Sequence, residues 1–462
     1  MADCALDERP LERADLAAHL ARGEKPASAY RIGAEHEKFG FHRRDLSPVA
    51  YDGPAGIHAL LLGLKRFGWS DVSETGHDGG ETLIGLERRN DEGFAENISL
   101  EPGGQFELSG APLRSIHDIR DETERHLAEV ADVGGALGIG FLGLGHSPVW
   151  TRAETPIMPK GRYDIMRGYM PKVGGLGLDM MLRTCTVQAN LDFSSEADMV
   201  KKFRVSLALQ PVITALFANS PFVEGKPTGW LSTRARVWTD TDPDRTGLLD
   251  FVFQDGFGYE TYVEYALDVP MYFIKRDGKY VDLSGRSFRS FLAGELAERP
   301  GERPQAKDWA DHLTTLFPEV RLKSYLEMRG ADCGSLEHLL ALPAVWAGVL
   351  YDTIALDEAW ALAQDWTAEQ RHALRLDAAR LGLKAQVNGR TLQAVALDLL
   401  EIANRGLARR ALLDANGRDE SAYLAPIQAI AESGVTAAER LLELYHGAWR
   451  GDATGVFDVA DY

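Results

Sequence analysis

Cysteine is scarce in this chain of 462 residues: Cys4, Cys185 and Cys333 are all there is. Three scattered thiols exclude a disulfide framework and a structural zinc site, and a reducing, cytosolic setting is the expectation that follows. Positive charge is also short. Fifty Lys and Arg stand against 69 Asp and Glu, a formal charge of −19. A nucleic-acid-binding surface needs clustered Lys and Arg, so nucleic acid is excluded as a partner. Anionic substrates remain admissible where cations or local arginines neutralise them. No apolar run reaches the length that spans a bilayer, which leaves out a membrane partner. The segment Met1–Arg9 lacks the basic-then-apolar order of a signal peptide and is too acidic for a transit peptide, so the protein is expected to stay where it is made. No P-loop, repeat or low-complexity tract occurs. Gly138-Ile139-Gly140-Phe141-Leu142-Gly143 matches the dinucleotide-binding glycine pattern, but it follows a helix and leads into a strand, the reverse of the required order.

What the chain does have is paired acid. Residues 31–41 read as a strand with Glu35 and Glu37 two positions apart. Such side chains share one face, with roughly 7 Å between their Cα atoms. The pattern returns at Ser99-Leu100-Glu101, Gln105-Phe106-Glu107 and Tyr325-Leu326-Glu327-Met328-Arg329, leaving Leu100, Phe106, Leu108, Leu326 and Met328 for the other face. The open face of an antiparallel sheet accounts for any one of these acids alone. Their gathering on short strands beside glycines, with Gln105, Gln188 and Asn190 where Lys or Thr would be ordinary, fits hard divalent cations, Mg²⁺ above all. Arg329 shares its face with Glu327, an arrangement suited to a transferring phosphoryl group. Arg234-Ala235-Arg236, followed by Asp240, Asp242 and Arg245, reads equally as an extended anion fork or as a salt-bridged surface loop. His36 and His146 read as structural, and Cys185 as inert core.

The remaining pattern predicts helices over 10–22 and 55–67, a Ser115-capped helix to about Val133, and an alternating strand over 183–193. Ser194 and Ser195 open a long helix that Pro211 is expected to kink. Residues 271–283 predict a hairpin turning at Asp277-Gly278. From about 335 to 450 Leu/Ala-rich helical periodicity takes over. With 45% hydrophobic residues the chain can bury a large core. Length alone suggests about three domains, though a large sheet absorbs such a length. The expectation is an α+β catalytic body over 1–330 carrying the acidic sheet, with a helical region over 331–462 packed on it and no independent linker.

Ile32–Phe41, Ser99–Gly110, Met158–Asp192, Trp238–Gly247 and Phe317–Asp332 together resemble the plant-type glutamate–cysteine ligases, a group with proteobacterial members. The resemblance runs from about residue 28 to beyond 350, and the composition points to a bacterial member. It implies a curved antiparallel sheet forming a funnel flanked by helices, as in the glutamine synthetase-like carboxylate–amine ligases. It also implies ATP-dependent joining of the γ-carboxylate of L-glutamate to the amine of L-cysteine, the first step of glutathione synthesis, with two or more Mg²⁺. Carried over, Glu35, Glu37, Glu101, Glu107 and Glu327 are the implied metal ligands. Arg329, beside Glu327, is the implied catalytic contact to the phosphoryl group. Arg162, Tyr163, Arg167 and Arg236 are implied substrate contacts, joined by Gln188, Asn190 and Arg245. Feedback by glutathione and a monomer or homodimer are compatible with it. The cysteines of the plant enzymes' regulatory disulfides are not mapped onto the three here. A glutamate ligase with another amine, a guanidine phosphotransferase and a metal-dependent hydrolase are the alternative readings.

Overall fold

The computed structural model describes residues 9–75 and 80–462; Cys4 lies outside them. Nine strands make one sheet: β1 Ile32–His42, β2 Ser70–Thr75, β3 Glu81–Arg89, β4 Ala95–Leu100, β5 Phe106–Ser109, β6 Ile139–Leu142, β7 Thr186–Leu191, β8 Val320–Leu322 and β9 Leu326–Asp332. Their order is β8-β9-β7-β1-β5-β4-β3-β2, with β6 added on β1. Every pairing in it is antiparallel. β1 is the axis. Its residues 32–36 pair with β7, its residues 39–42 pair with β6, and residues 35–38 pair with β5 on the opposite edge.

Alternation sorts the two faces. The back face buries Ile98, Leu100, Phe106 and Leu108 on one half, and Ala34, Val187, Ala189, Leu326 and Met328 on the other. Helices Ile57–Leu64 and Ile116–Leu137 cover the first half, and Glu196–Leu216 and Leu336–Leu350 the second. The last two are sandwiched between the sheet and further C-terminal helices. All residues from Val205 to Leu216 and from Leu339 to Leu350 are buried, as expected of helices apolar all round. Ser115 and Ser195 cap their helices as the sequence predicts, by accepting from the backbone N–H groups of Asp118 and Asp198.

Three details depart from the sequence reading. β2 and β3 were not expected: β2 is an exposed polar edge, and Leu83, Ile84 and Leu86 in β3 do not alternate. Arg234–Arg236 is not extended but lies in a short helix, Thr233–Val237, because Ser232 caps it through the Ala235 N–H at 3.0 Å. In the β9–β7 ladder the register shifts between Met328 and Ala331, so Arg329 and Gly330 form a bulge. The expected hairpin is present, with Asp277 and Gly278 both at positive φ, 49° and 76°.

Helices Leu336–Leu350 and Leu392–Arg410 touch backbone to backbone. A Cβ on Gly406 would lie 1.8 Å from the Gly348 carbonyl oxygen, and one on Gly348 would lie 2.4 Å from the Ala403 carbonyl oxygen. Gly406→Ala should therefore lower stability by about 1–3 kcal/mol or more through overpacking. Gly135→Ala, in a helix interior with nothing within 4 Å of the added carbon, should raise it by roughly 0.5–1 kcal/mol. Denaturant titration of the two variants checks the pair, and equal stabilities would contradict the close crossing.

Candidate active site

The front face of the sheet floors a cavity with ≈ 980 Å³ of free space, open to solvent. Glu35 and Glu37 reach it from β1 and Glu107 from β5, with Glu101 from the turn after β4. Gln188 and Thr186 reach it from β7, and Arg329 from the β9 bulge. Walls come from Arg162, Tyr163 and Met166 on helix Gly161–Tyr169, from Arg234 and Trp238, and from Phe273, Thr314 and Phe317.

Register brings the acids together. Glu37 stands directly opposite Glu107, and Glu107 opposite Ser99. Each carboxylate has its own tether. Thr186 N–H donates to Glu37 Oε2 at 2.9 Å, Ser99 Oγ to Glu107 Oε2 at 2.6 Å, and Asn190 Nδ2 to Glu35 Oε1 at 2.6 Å. Like charges facing each other across a ladder repel, and burial strengthens the repulsion. Burial, then Glu327 and Glu107, push the Glu35 carboxyl up to about 7. Burial, then Glu101 and Glu107, hold Glu37 well above the usual carboxylate range, and burial with Glu101 raises Glu107. Such a set gains from either protons or a cation. Oxygen donors of this kind fit a hard divalent ion. Among the described residues no three His, Cys, Asp or Glu side chains are already drawn into a metal cage.

Arginines stand beside these acids. Arg321 grips Glu327 with two bonds, Nε to Oε2 at 2.5 Å and Nη2 to Oε1 at 2.9 Å. Against the cost of burial, Arg321, Lys323 and Arg329 hold Glu327 below the usual carboxylate range. Arg329 Nη1 lies 3.4 Å from Glu327 Oε2 and donates to Gln188 Oε1 at 2.8 Å. Arg234 Nη2 donates to the Arg329 carbonyl at 2.6 Å and so braces the bulge, while its Nε is buried with no hydrogen-bond partner among the described residues.

Of the expected site residues, Glu35, Glu37, Glu101, Glu107, Arg162, Tyr163, Gln188 and Arg329 line the cavity. Asn190 does not, but it holds Glu35. Four placements correct the sequence reading. Glu327 lies beneath the lining with both oxygens occupied by Arg321, so it supports the arginines and is not an open metal ligand. Arg245 is fully buried, paired with Asp242 at 2.6 Å and bonded to the carbonyls of Thr315 and Pro270. Arg236 is turned to Thr239 Oγ1 and the Trp230 ring, because the helix points it away from Arg234. Arg167 pairs with Asp164 one turn earlier on its helix.

The sequence reading missed Arg321 in the lining and Lys160 beside the acids, and left Arg234 open between an anion fork and a surface loop. Arg321 is eight residues before Arg329 in the same motif, and only the β8–β9 hairpin sets it opposite Glu327. Lys160 is buried beside Arg162, and burial with that neighbour brings its ammonium down to about 8. His36 faces the back of the sheet and His146 is buried with a bond to the Ser147 carbonyl, both structural placements.

The sequence profile of the glutamate–cysteine ligase family 2 matches residues 31–458. The chloroplastic glutamate–cysteine ligase of Medicago truncatula is 53% identical over 461 residues, covering 100% of this chain and 87% of the relative. That of Arabidopsis thaliana is 55% identical over 454 residues, covering 98% and 83%. The crystal structure of a Francisella tularensis glutamate–cysteine ligase in complex with AMP shares the fold at a TM-score of 0.56 and 12% identity, covering 93% of this chain and 87% of that one. The relatives named here are chloroplastic, which overturns the cytosolic expectation. With the profile spanning nearly the whole sequence and relatives above half identity end to end, the chain belongs to glutamate–cysteine ligase family 2.

Proposed function

We infer that this protein joins the γ-carboxylate of L-glutamate to the amine of L-cysteine at the cost of ATP, with the reaction carried out in the sheet cavity. The observation that carries the reading is the mixed lining of that cavity: acids that form no ion pair among the described residues, and beside them Arg329, backed by Arg321 and Arg234. A carboxylate is inert toward amines because its oxygen is a poor leaving group. Phosphoryl transfer from ATP to the γ-carboxylate gives an acyl phosphate, and the cysteine amine displaces phosphate from it. Glu35, Glu37, Glu101 and Glu107 would hold Mg²⁺, which would supply charge neutralisation for the phosphates.

The protein's part is positioning and electrostatics. Thr186, Ser99 and Asn190 fix three of the carboxylates by the hydrogen bonds given above. The Arg329 guanidinium is held by Gln188 and stands 5.8 Å from the Trp238 ring centroid and 5.7 Å from that of Phe317, so its planar fork is pre-aimed at the phosphoryl group. Arg162, 5.1 Å from the Tyr163 ring centroid, meets a substrate carboxylate at the far wall. The family match is to ligases, which disfavours the hydrolase alternative.

Three measurements test the reading. With ATP, Mg²⁺, cysteine and glutamate labelled with ¹⁸O in its γ-carboxyl, γ-glutamylcysteine should form and label should pass to phosphate; unlabelled phosphate during turnover would rule out the acyl phosphate. Arg329→Lys keeps the charge and loses the fork, so the turnover number should fall by about tenfold or more while the Michaelis constant for ATP moves less. Weakened ATP binding at normal turnover would contradict this. The third measurement is thermal. The folded Glu35 carboxyl binds its proton up to about 7, while the unfolded one releases it in the ordinary carboxylate range. Between those values the native state holds more protons, so the stability of the metal-free protein should fall as pH rises from about 5 to about 8. Mg²⁺ competes with these protons and should raise the melting temperature more at the higher pH. An equal Mg²⁺ effect at both pH values would count against these ligands.

A further inference from the structure

We propose that Cys333 is a positioning residue for Glu37, acting through the Glu37 backbone; the inference rests on the reading of Glu37 as a metal ligand. The argument starts from β1. The Ile32 and Ala34 carbonyls accept from Leu113 and Gly110 on the β5 side, each at 2.9 Å. By alternation along an antiparallel strand, the Glu37 carbonyl points to the other edge. That edge is where β1 changes partner: pairing with β7 stops at His36–Val187, and pairing with β6 starts at Phe39–Leu142. Continued one step, the β7 register would set Thr186 opposite Glu37 and supply its N–H to the Glu37 carbonyl. That N–H is instead turned to the Glu37 carboxylate, at 2.9 Å from Oε2.

A buried carbonyl left without a donor is costly. Cys333 supplies the missing donor. It follows β9 directly, and its thiol donates to the Glu37 carbonyl oxygen at 2.9 Å. Burial keeps that thiol protonated by raising it to about 11. Behind it, the Tyr462 hydroxyl lies 3.5 Å from Sγ and donates to the Gly334 carbonyl, so its own proton is committed elsewhere. Gly143 leaves the space for this ring, since a Cβ there would lie 2.6 Å from the Tyr462 hydroxyl oxygen. The thiol thus satisfies the backbone of Glu37 and frees the Thr186 amide to hold its carboxylate toward the cavity. Without the thiol, the Thr186 N–H is drawn back to the carbonyl and the carboxylate loses its tether.

The test is calorimetric titration of Mg²⁺ alone into metal-free wild type, C333S, C333A and E37Q, with the Mg²⁺ concentration for half-maximal ligation as a second readout and thermal melting as a control. C333A should weaken Mg²⁺ binding about three- to fivefold, the size of one modest hydrogen bond, with turnover at saturating Mg²⁺ changed less. C333S keeps a donor and should bind as wild type does. Should C333A fail to fold, C333V, similar in size and without a donor, takes its place. If E37Q weakens binding while the donorless variant only lowers the melting temperature, Cys333 is merely structural and the inference fails alone. If E37Q leaves Mg²⁺ binding unchanged, the ligand reading fails and takes the inference with it.

Discussion

Glu37 and Glu107 face each other across β1 and β5 at the floor of the cavity, both pushed by burial above the usual carboxylate range, and among the described residues neither is in an ion pair. Repulsion between charges in a medium of lowered dielectric is several times what it would be in bulk water. The folded chain accommodates this by holding protons, and a divalent cation relieves it more completely. A binding site is thereby built as a local deficit of positive charge, and the surrounding structure has to hold the acids in place against their own repulsion. Thr186, Ser99 and Asn190 do so by directed hydrogen bonds, which leave oxygen lone pairs facing the cavity.

Arginines stand beside the acids on the same face. Arg321 spends its charge on Glu327, so the pair is a rigid buttress, and Arg329 next to it keeps a guanidinium face toward the cavity. The bulge at Arg329–Gly330 makes this arrangement available, because a regular β9 would continue the β7 ladder through both residues. Gly330 also lets the helix Glu196–Leu216 come close: a Cβ there would lie 2.4 Å from Gln210 Nε2. Sheet, bulge and buried helix therefore set the direction of one side chain. The C-terminal helices contribute through the Gly348–Gly406 crossing, which presses Leu336–Leu350 onto the back of the same sheet.

Much of this was legible in the chain. The two-residue spacing of Glu35 and Glu37, repeated at Glu101, Glu107 and Glu327, located the acidic strands, and apolar alternation at Leu100, Phe106 and Met328 gave their back face. Asp277-Gly278 gave the hairpin, and Ser115 and Ser195 gave the helix starts. β2 was not legible because an exposed polar edge strand has no apolar pattern to read. Arg245 misled because a guanidinium in a loop motif looks the same in sequence whether it meets a substrate or Asp242.

The sequence by itself determined which residues could share a face, since side-chain direction along a strand is fixed by a period of two. That period placed the acids and Arg329 on one face, while the resemblance of the longer motifs pointed to the family. Only the tertiary structure decided which charges are spent and which are free. Glu327 and Glu37 have the same side chain and similar local sequence, yet the β8–β9 hairpin puts Arg321 against the first, while the partner change of β1 leaves the second to Thr186 and Cys333. Strand register brings together residues far apart in the chain, and the charge state of a buried carboxylate is set by those neighbours rather than by the residues beside it in sequence.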